Sequence, residues 1–91
     1  MAHSDLVQSV IRASDILVKV SRSRSGVALR EVSDSLGMKS STAHNLLRTL
    51  VAEGLLEKTL SPPRYWMGPL LDSLCKALRA QSAGRRRARK S

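Results

Sequence analysis

Apolar residues fall into four helix-like runs and two short strand-like ones. From Leu6 to Val20 the chain carries Val7, Val10, Ile11, Ala13, Ile16, Leu17, Val18 and Val20. That density predicts a helix apolar over more than one face, with Ser4 or Asp5 placed to cap it. Ser21 to Gly26, reading Ser-Arg-Ser-Arg-Ser-Gly, breaks the pattern and predicts a loop. Val32 and Leu36, four apart, predict a short helix over Leu29 to Leu36. Gly37 follows, the residue suited to a left-handed helix end.

The next helix is expected from about Ser40 to Ala52, with Ser40 or Ser41 as its cap. Ala43, Leu46, Leu47, Leu50 and Val51 form its inner stripe. At about 100° per residue, Ser41, Asn45 and Arg48 fall on the opposite side, with His44 and Thr49 at the borders. Leu55 to Thr59 and Arg64 to Met67 read as strands joined by Leu60-Ser61-Pro62-Pro63, a stiff turn. Gly68-Pro69 stops the second strand and opens a last helix, whose stripe is Leu70, Leu71, Leu74, Cys75 and Leu78. The predicted fold is mainly α with a small β-hairpin. It is a winged helix-turn-helix: a three-helix core, a wing and a C-terminal linker helix.

Composition narrows this picture. At 91 residues the chain makes one domain with a modest core. With one Tyr, one Trp and no Phe, that core must be aliphatic. Formal charge is +9, which favours a polyanionic partner. Arg85, Arg86, Arg87, Arg89 and Lys90 supply five of those nine charges, so the body alone is an ordinary +4. The domain is therefore expected over residues 5–78, followed by a basic, unstructured tail over 79–91. Cys75, the single cysteine, cannot form an internal disulfide and reads as a small apolar residue. One Cys with the distant His3 and His44 makes no metal site, and no catalytic constellation or cofactor motif stands out. The N-terminal residues lack the apolar run of a signal peptide, and no segment is long enough to span a membrane. The expected location is cytoplasmic, with the nucleoid, and neither an enzyme nor a membrane partner is expected.

Several separated motifs resemble the N-terminal DNA-binding domain of the IclR family of bacterial transcriptional regulators. They are Val7-Gln8-Ser9-Val10 with Arg12-Ala13 and Ile16-Leu17, Leu29-Arg30-Glu31-Val32, Leu36-Gly37, and Ser41-Thr42-Ala43-His44 with Leu46-Leu47 and Leu50. Glu53-Gly54-Leu55-Leu56-Glu57, Arg64-Tyr65 and Gly68-Pro69 complete them, so the likeness spans roughly residues 7–78. The chain also departs from the family pattern. Asn45 replaces the Arg after the Thr-x-His segment, and Lys39-Ser40 replaces Pro-Lys. Ser14 replaces a Leu, Ile11 an acidic residue, and Trp66 an Arg, Lys or other polar residue. Pro62-Pro63 occupies a wing turn that is commonly Gly and acidic residues. The family's C-terminal effector-binding domain is expected to be absent, and with it any small-molecule effector site.

The resemblance implies sequence-specific binding of double-stranded DNA and regulation of transcription. Asn45 suits a bidentate pair with adenine, and Arg48 a guanine or a phosphate. Ser40, Ser41 and Thr42, at the helix N-terminus, suit a phosphate or plain capping. His44 stands equally for a DNA contact and for core-edge packing. Arg30 and Lys39 are candidate phosphate partners, and Arg64, from the wing, a candidate for phosphate or the minor groove. Trp66 is expected to pack on the last helix or on a partner subunit. The surplus apolar surface of the first and last helices predicts a homodimer through them. Two alternatives stand beside this: a module that heterodimerises with and antagonises a full-length relative, or a truncated remnant of a longer regulator.

Overall fold

The structure is a computed structural model that describes residues 5–90, with positions 89 and 90 as helix backbone only. Element order is α1 (Gln8–Ser21), α2 (Leu29–Leu36), α3 (Ser40–Ala52), β1 (Leu56–Thr59), β2 (Arg64–Met67) and α4 (Pro69–Lys90). This is the mainly helical fold with one hairpin that the polar pattern predicts.

The core lies where α1, α2, α3 and the hairpin meet. Ile16 and Val20 of α1, Val27, Val32 of α2, and Ala43, Leu47 and Leu50 of α3 are buried there with Leu56 and Tyr65. Tyr65 is the one aromatic in an otherwise aliphatic set. In α1 and α3 the buried positions lie three or four apart, so burial there follows the stripes read from sequence, whereas α4 contributes none of its stripe to this core.

The turn between α2 and α3 is made by Gly37, whose φ of 63° and ψ of 37° are left-handed. Met38 N–H then returns to Ser33 O at 3.1 Å, satisfying a carbonyl that the helix end would orphan. The hairpin is antiparallel, with Leu56 opposite Met67 and Thr59 opposite Arg64. Val27 adds a short third edge by exchanging backbone hydrogen bonds with Tyr65 at 2.8 and 3.0 Å. The 22–27 loop is thereby fixed to the wing rather than left free.

The helix starts differ from expectation. Val7 occupies the N-cap of α1 and Lys39 that of α3, and neither helix has a side-chain cap. Asp5 lies two residues before the α1 cap, and Ser4 falls outside the described residues. Ser40 is already the first helical residue of α3, so it cannot be the cap.

The tail also differs. Residues from 79 on were expected to be unstructured, yet α4 runs unbroken to Lys90. Ala, Gln, Arg and Lys dominate that half, and all favour helix; Gly84 is the one poor helix former. Cations in a last turn also suit the helix dipole. Among the described residues, no helix is long and apolar enough to cross a membrane.

Candidate nucleic-acid interface

Helix α3 has two sharply different sides. Ala43, Leu47 and Leu50 are buried, and Leu46 and Val51 half-buried against them. About 180° away, Ser41, Asn45 and Arg48 are exposed, as is His44 beside them. The buried stripe fixes the helix's rotation, so the four outward side chains are presented together from a rigid element. Among the described residues none of these four makes a side-chain hydrogen bond or ion pair within the chain. Thr49, at the border, donates its hydroxyl to Asn45 O at 2.7 Å and is committed to the helix.

The N-terminus of α3 is open. Lys39 and Ser40 are exposed and Thr42 is half-buried. The first intrahelical bond is Ala43 N–H to Lys39 O at 2.9 Å, and no side chain caps the earlier N–H groups. Those groups and the positive end of the helix dipole are available to an anion. So seven of the sequence candidates belong to one helix and its cap: Ser40, Ser41, Thr42, His44, Asn45 and Arg48 on α3, and Lys39 at its N-cap.

The other two stand on separate elements, and each has a carboxylate partner. Arg30 projects from α2, with its Nε 3.6 Å from Asp34 one turn on, and both side chains are well exposed. Arg64 is half-buried, and its Nη1 donates to Glu31 Oε1 at 3.0 Å. The same Glu31 oxygen accepts the backbone N–H of Ala28 at 3.1 Å, the half of a capping box that a side chain at this position can make. Sequence reading missed Glu31. It closes the start of α2 and holds the wing cation across a gap of 33 positions, a pairing no local signal could reveal.

Trp66 lies elsewhere than expected. Its indole packs over Gly26, where an added Cβ would come within 2.9 Å of the ring. Its Nε1–H donates to Thr59 Oγ1 at 2.8 Å. Trp66 therefore braces the wing and the 22–27 loop, not α4. On the opposite side of the hairpin, Lys58 sits over the Tyr65 ring, 5.6 Å from its centroid. Lys58 is a wing cation with no carboxylate partner among the described residues, and sequence reading did not single it out. No effector-sized site was expected; an open groove of about 460 Å³, with both signs of charge on its walls, lies between α1 and α2, lined by Asp15, Lys19, Arg22 and Glu31 among others.

Two packed helices joined at a left-handed glycine, a third behind them and a hairpin after them define a winged helix-turn-helix, a DNA-binding class. The IclR helix-turn-helix domain model matches residues 9–60. The chain belongs to the IclR family, whose helix-turn-helix is the DNA-binding part of transcriptional regulators. It is 36% identical over 62 residues to a glycerol operon regulatory protein of Streptomyces coelicolor, covering 68% of this chain and 24% of the relative. Among solved structures, an IclR transcriptional regulator from Alicyclobacillus acidocaldarius superposes with a TM-score of 0.71 at 33% identity. That match covers 75% of this chain and 28% of the other. The Agobacterium tumefaciens repressor BlcR gives 0.73 at 27% identity, covering 81% and 29%. The chain thus spans about a quarter of the length of the relatives it matches.

Proposed function

We propose that this chain binds double-stranded DNA sequence-specifically, as a homodimer, and regulates transcription by occupying its site. Helix α3 enters the major groove. Asn45 reads a base edge, with adenine its best geometric match, and Arg48 reaches a guanine or a phosphate. Ser41 and His44 flank them. Lys39, Ser40, Thr42 and the open N–H groups of the first turn hold the phosphate backbone at the groove's edge. Arg30 and Arg64 contribute charge from beside α3, Arg64 while it also holds the wing in place. The observation that carries this reading is the outer face of α3: four exposed, uncommitted polar side chains on a helix whose rotation is fixed by burial. The family relationship favours this over a module that acts only by pairing with a relative. No step in this function calls for enzymatic chemistry.

The test is selection of a preferred site from a random duplex library, followed by titration of that site and of a scrambled duplex at one salt concentration. Specific readout predicts much tighter binding to the selected site. Asn45→Ala should cost about 1–3 kcal/mol on the selected duplex, roughly 5- to 150-fold, and little on the scrambled one. Equal affinity for both duplexes overturns sequence-specific recognition.

A further inference from the structure

We propose that the C-terminal half of α4 is a second, sequence-independent DNA-phosphate site, separate from the α3 face and resting on the DNA-binding reading above. Helix α4 changes character along its length. Leu71, Leu74 and Leu78 line one side of its first half, and positions 85 and 89 continue that same line as arginines. A second copy of α4 can meet the leucine half, but over the arginine half it would set like charges against each other. The basic half is therefore left free for an occupant of opposite charge.

The helix offers none itself. Its one acidic residue, Asp72, is held by Lys76 at 3.2 Å. Beyond it come Arg79, Arg85, Arg86, Arg87, Arg89 and Lys90 with no carboxylate among them. Arg85, Arg86 and Arg87 are exposed and make no ion pair among the described residues. Like charges four apart, as at 85 and 89 or 86 and 90, destabilise a free helix, and bound phosphates would reverse that sign.

Geometry favours a nucleic-acid backbone over a membrane surface. Successive arginines at 85, 86 and 87 point about 100° apart, so the charge wraps around the helix instead of bordering an apolar face. The leucines end at Leu78, about two turns before the arginine block, so apolar and basic residues occupy successive lengths of the helix rather than opposite sides of one amphipathic stretch. Residue 85 stands roughly 24 Å along the helix from Pro69 at about 1.5 Å per residue, far enough to extend a footprint beyond the body. Tethering to a winged helix already on duplex DNA keeps these arginines at high effective concentration near phosphates.

The experiment measures affinity for a random-sequence duplex against salt for the full chain. It compares the wild type with a variant carrying R85Q, R86Q, R87Q, R89Q and K90Q, and with one carrying R85K, R86K, R87K and R89K. Gln and Lys both support helix, and circular dichroism confirms that α4 persists. The Gln variant should show a log–log salt slope shallower by about 2–4, at about 0.9 for each phosphate left unneutralised, and bind about tenfold or more weakly at 0.1 M salt. The Lys variant should keep the wild-type slope. An unchanged slope in the Gln variant, with binding abolished instead in N45A/R48A, overturns the second site and leaves the DNA-binding reading standing. No duplex binding by the wild type overturns both. Stronger binding to anionic phosphatidylserine vesicles than to duplex, abolished in the Gln variant, overturns phosphate-backbone recognition.

Discussion

At the scale of single residues, the distinction that matters is between side chains the protein uses itself and those it leaves open. Asn45, Arg48, Ser41 and His44 are open; the 3.6-residue period places the first three opposite a leucine stripe, whereas His44 falls at its border and was equally readable as core-edge packing. Arg64 was legible as a basic residue of the wing but not as the partner of Glu31, since their contact spans the fold. Trp66 was misplaced for the same reason: the bridge between Val27 and Tyr65 brings Gly26 beneath it, and no periodicity announces that bridge. The Glu31–Arg64 contact gives a first test. Both side chains are partly exposed, 50% and 36%, so the pair itself should contribute modestly. A double-mutant cycle with Glu31→Ala and Arg64→Ala should return a coupling of about 0.2–1 kcal/mol in urea unfolding. Glu31→Ala should cost more alone than Arg64→Ala, because it also frees the Ala28 N–H at the start of α2. Equal single costs would show that Glu31's bond to Ala28 contributes nothing.

At the scale of elements, the kind and order of helices and strands were legible, whereas their ends were less so. In α1, α2 and α3 the stripe positions mark the buried side, whereas the α4 stripe stays largely exposed, and the Pro62-Pro63 turn marks the hairpin's tip. Caps were misread because both helices begin without one, a choice sequence preference cannot foresee. The tail was misread because a polar, low-complexity composition resembles coil, while the residues that compose it individually favour helix. Gly37 isolates one element-level effect cleanly. Its φ of +63° needs a left-handed backbone, and nothing lies within 4 Å of where a Cβ would stand. Gly37→Ala should therefore destabilise by about 1–2 kcal/mol through backbone conformation alone. Gly37→Asn should recover part of that, since Asn tolerates this region better. Thermal unfolding of the three proteins checks it, and an Ala variant as stable as wild type would mean that the α2–α3 turn relaxes to another geometry.

At the scale of the whole molecule, the core accounts for only part of the apolar surface. Val7 and Val10 of the α1 region stay 64% and 65% exposed, and Leu74 and Leu78 of α4 stay 48% and 56% exposed. These residues cannot fold back on the existing core: Ile16 and Val20 already fill α1's inward side, and α4 leaves the body after its first turn, where Leu70 N–H bonds Gly54 O at 2.9 Å. A second copy offering the same two surfaces would cover them through a self-complementary interface, as a two-fold dimer requires. Pairing would be confined to the leucine half of α4, because arginines follow on the same line. The expectation is a dimer at micromolar concentration by sedimentation equilibrium, with a melting temperature that rises with protein concentration. Leu74→Glu with Leu78→Glu should give monomers whose core remains folded, since neither residue is buried within one chain. Those monomers should still bind a single half-site but lose the tighter binding to a two-fold site, whose halves lie about one helical turn apart or a multiple of it. A double variant that stays dimeric would exclude α4 from the interface and leave α1 as the surface to substitute next, at Val7 and Val10.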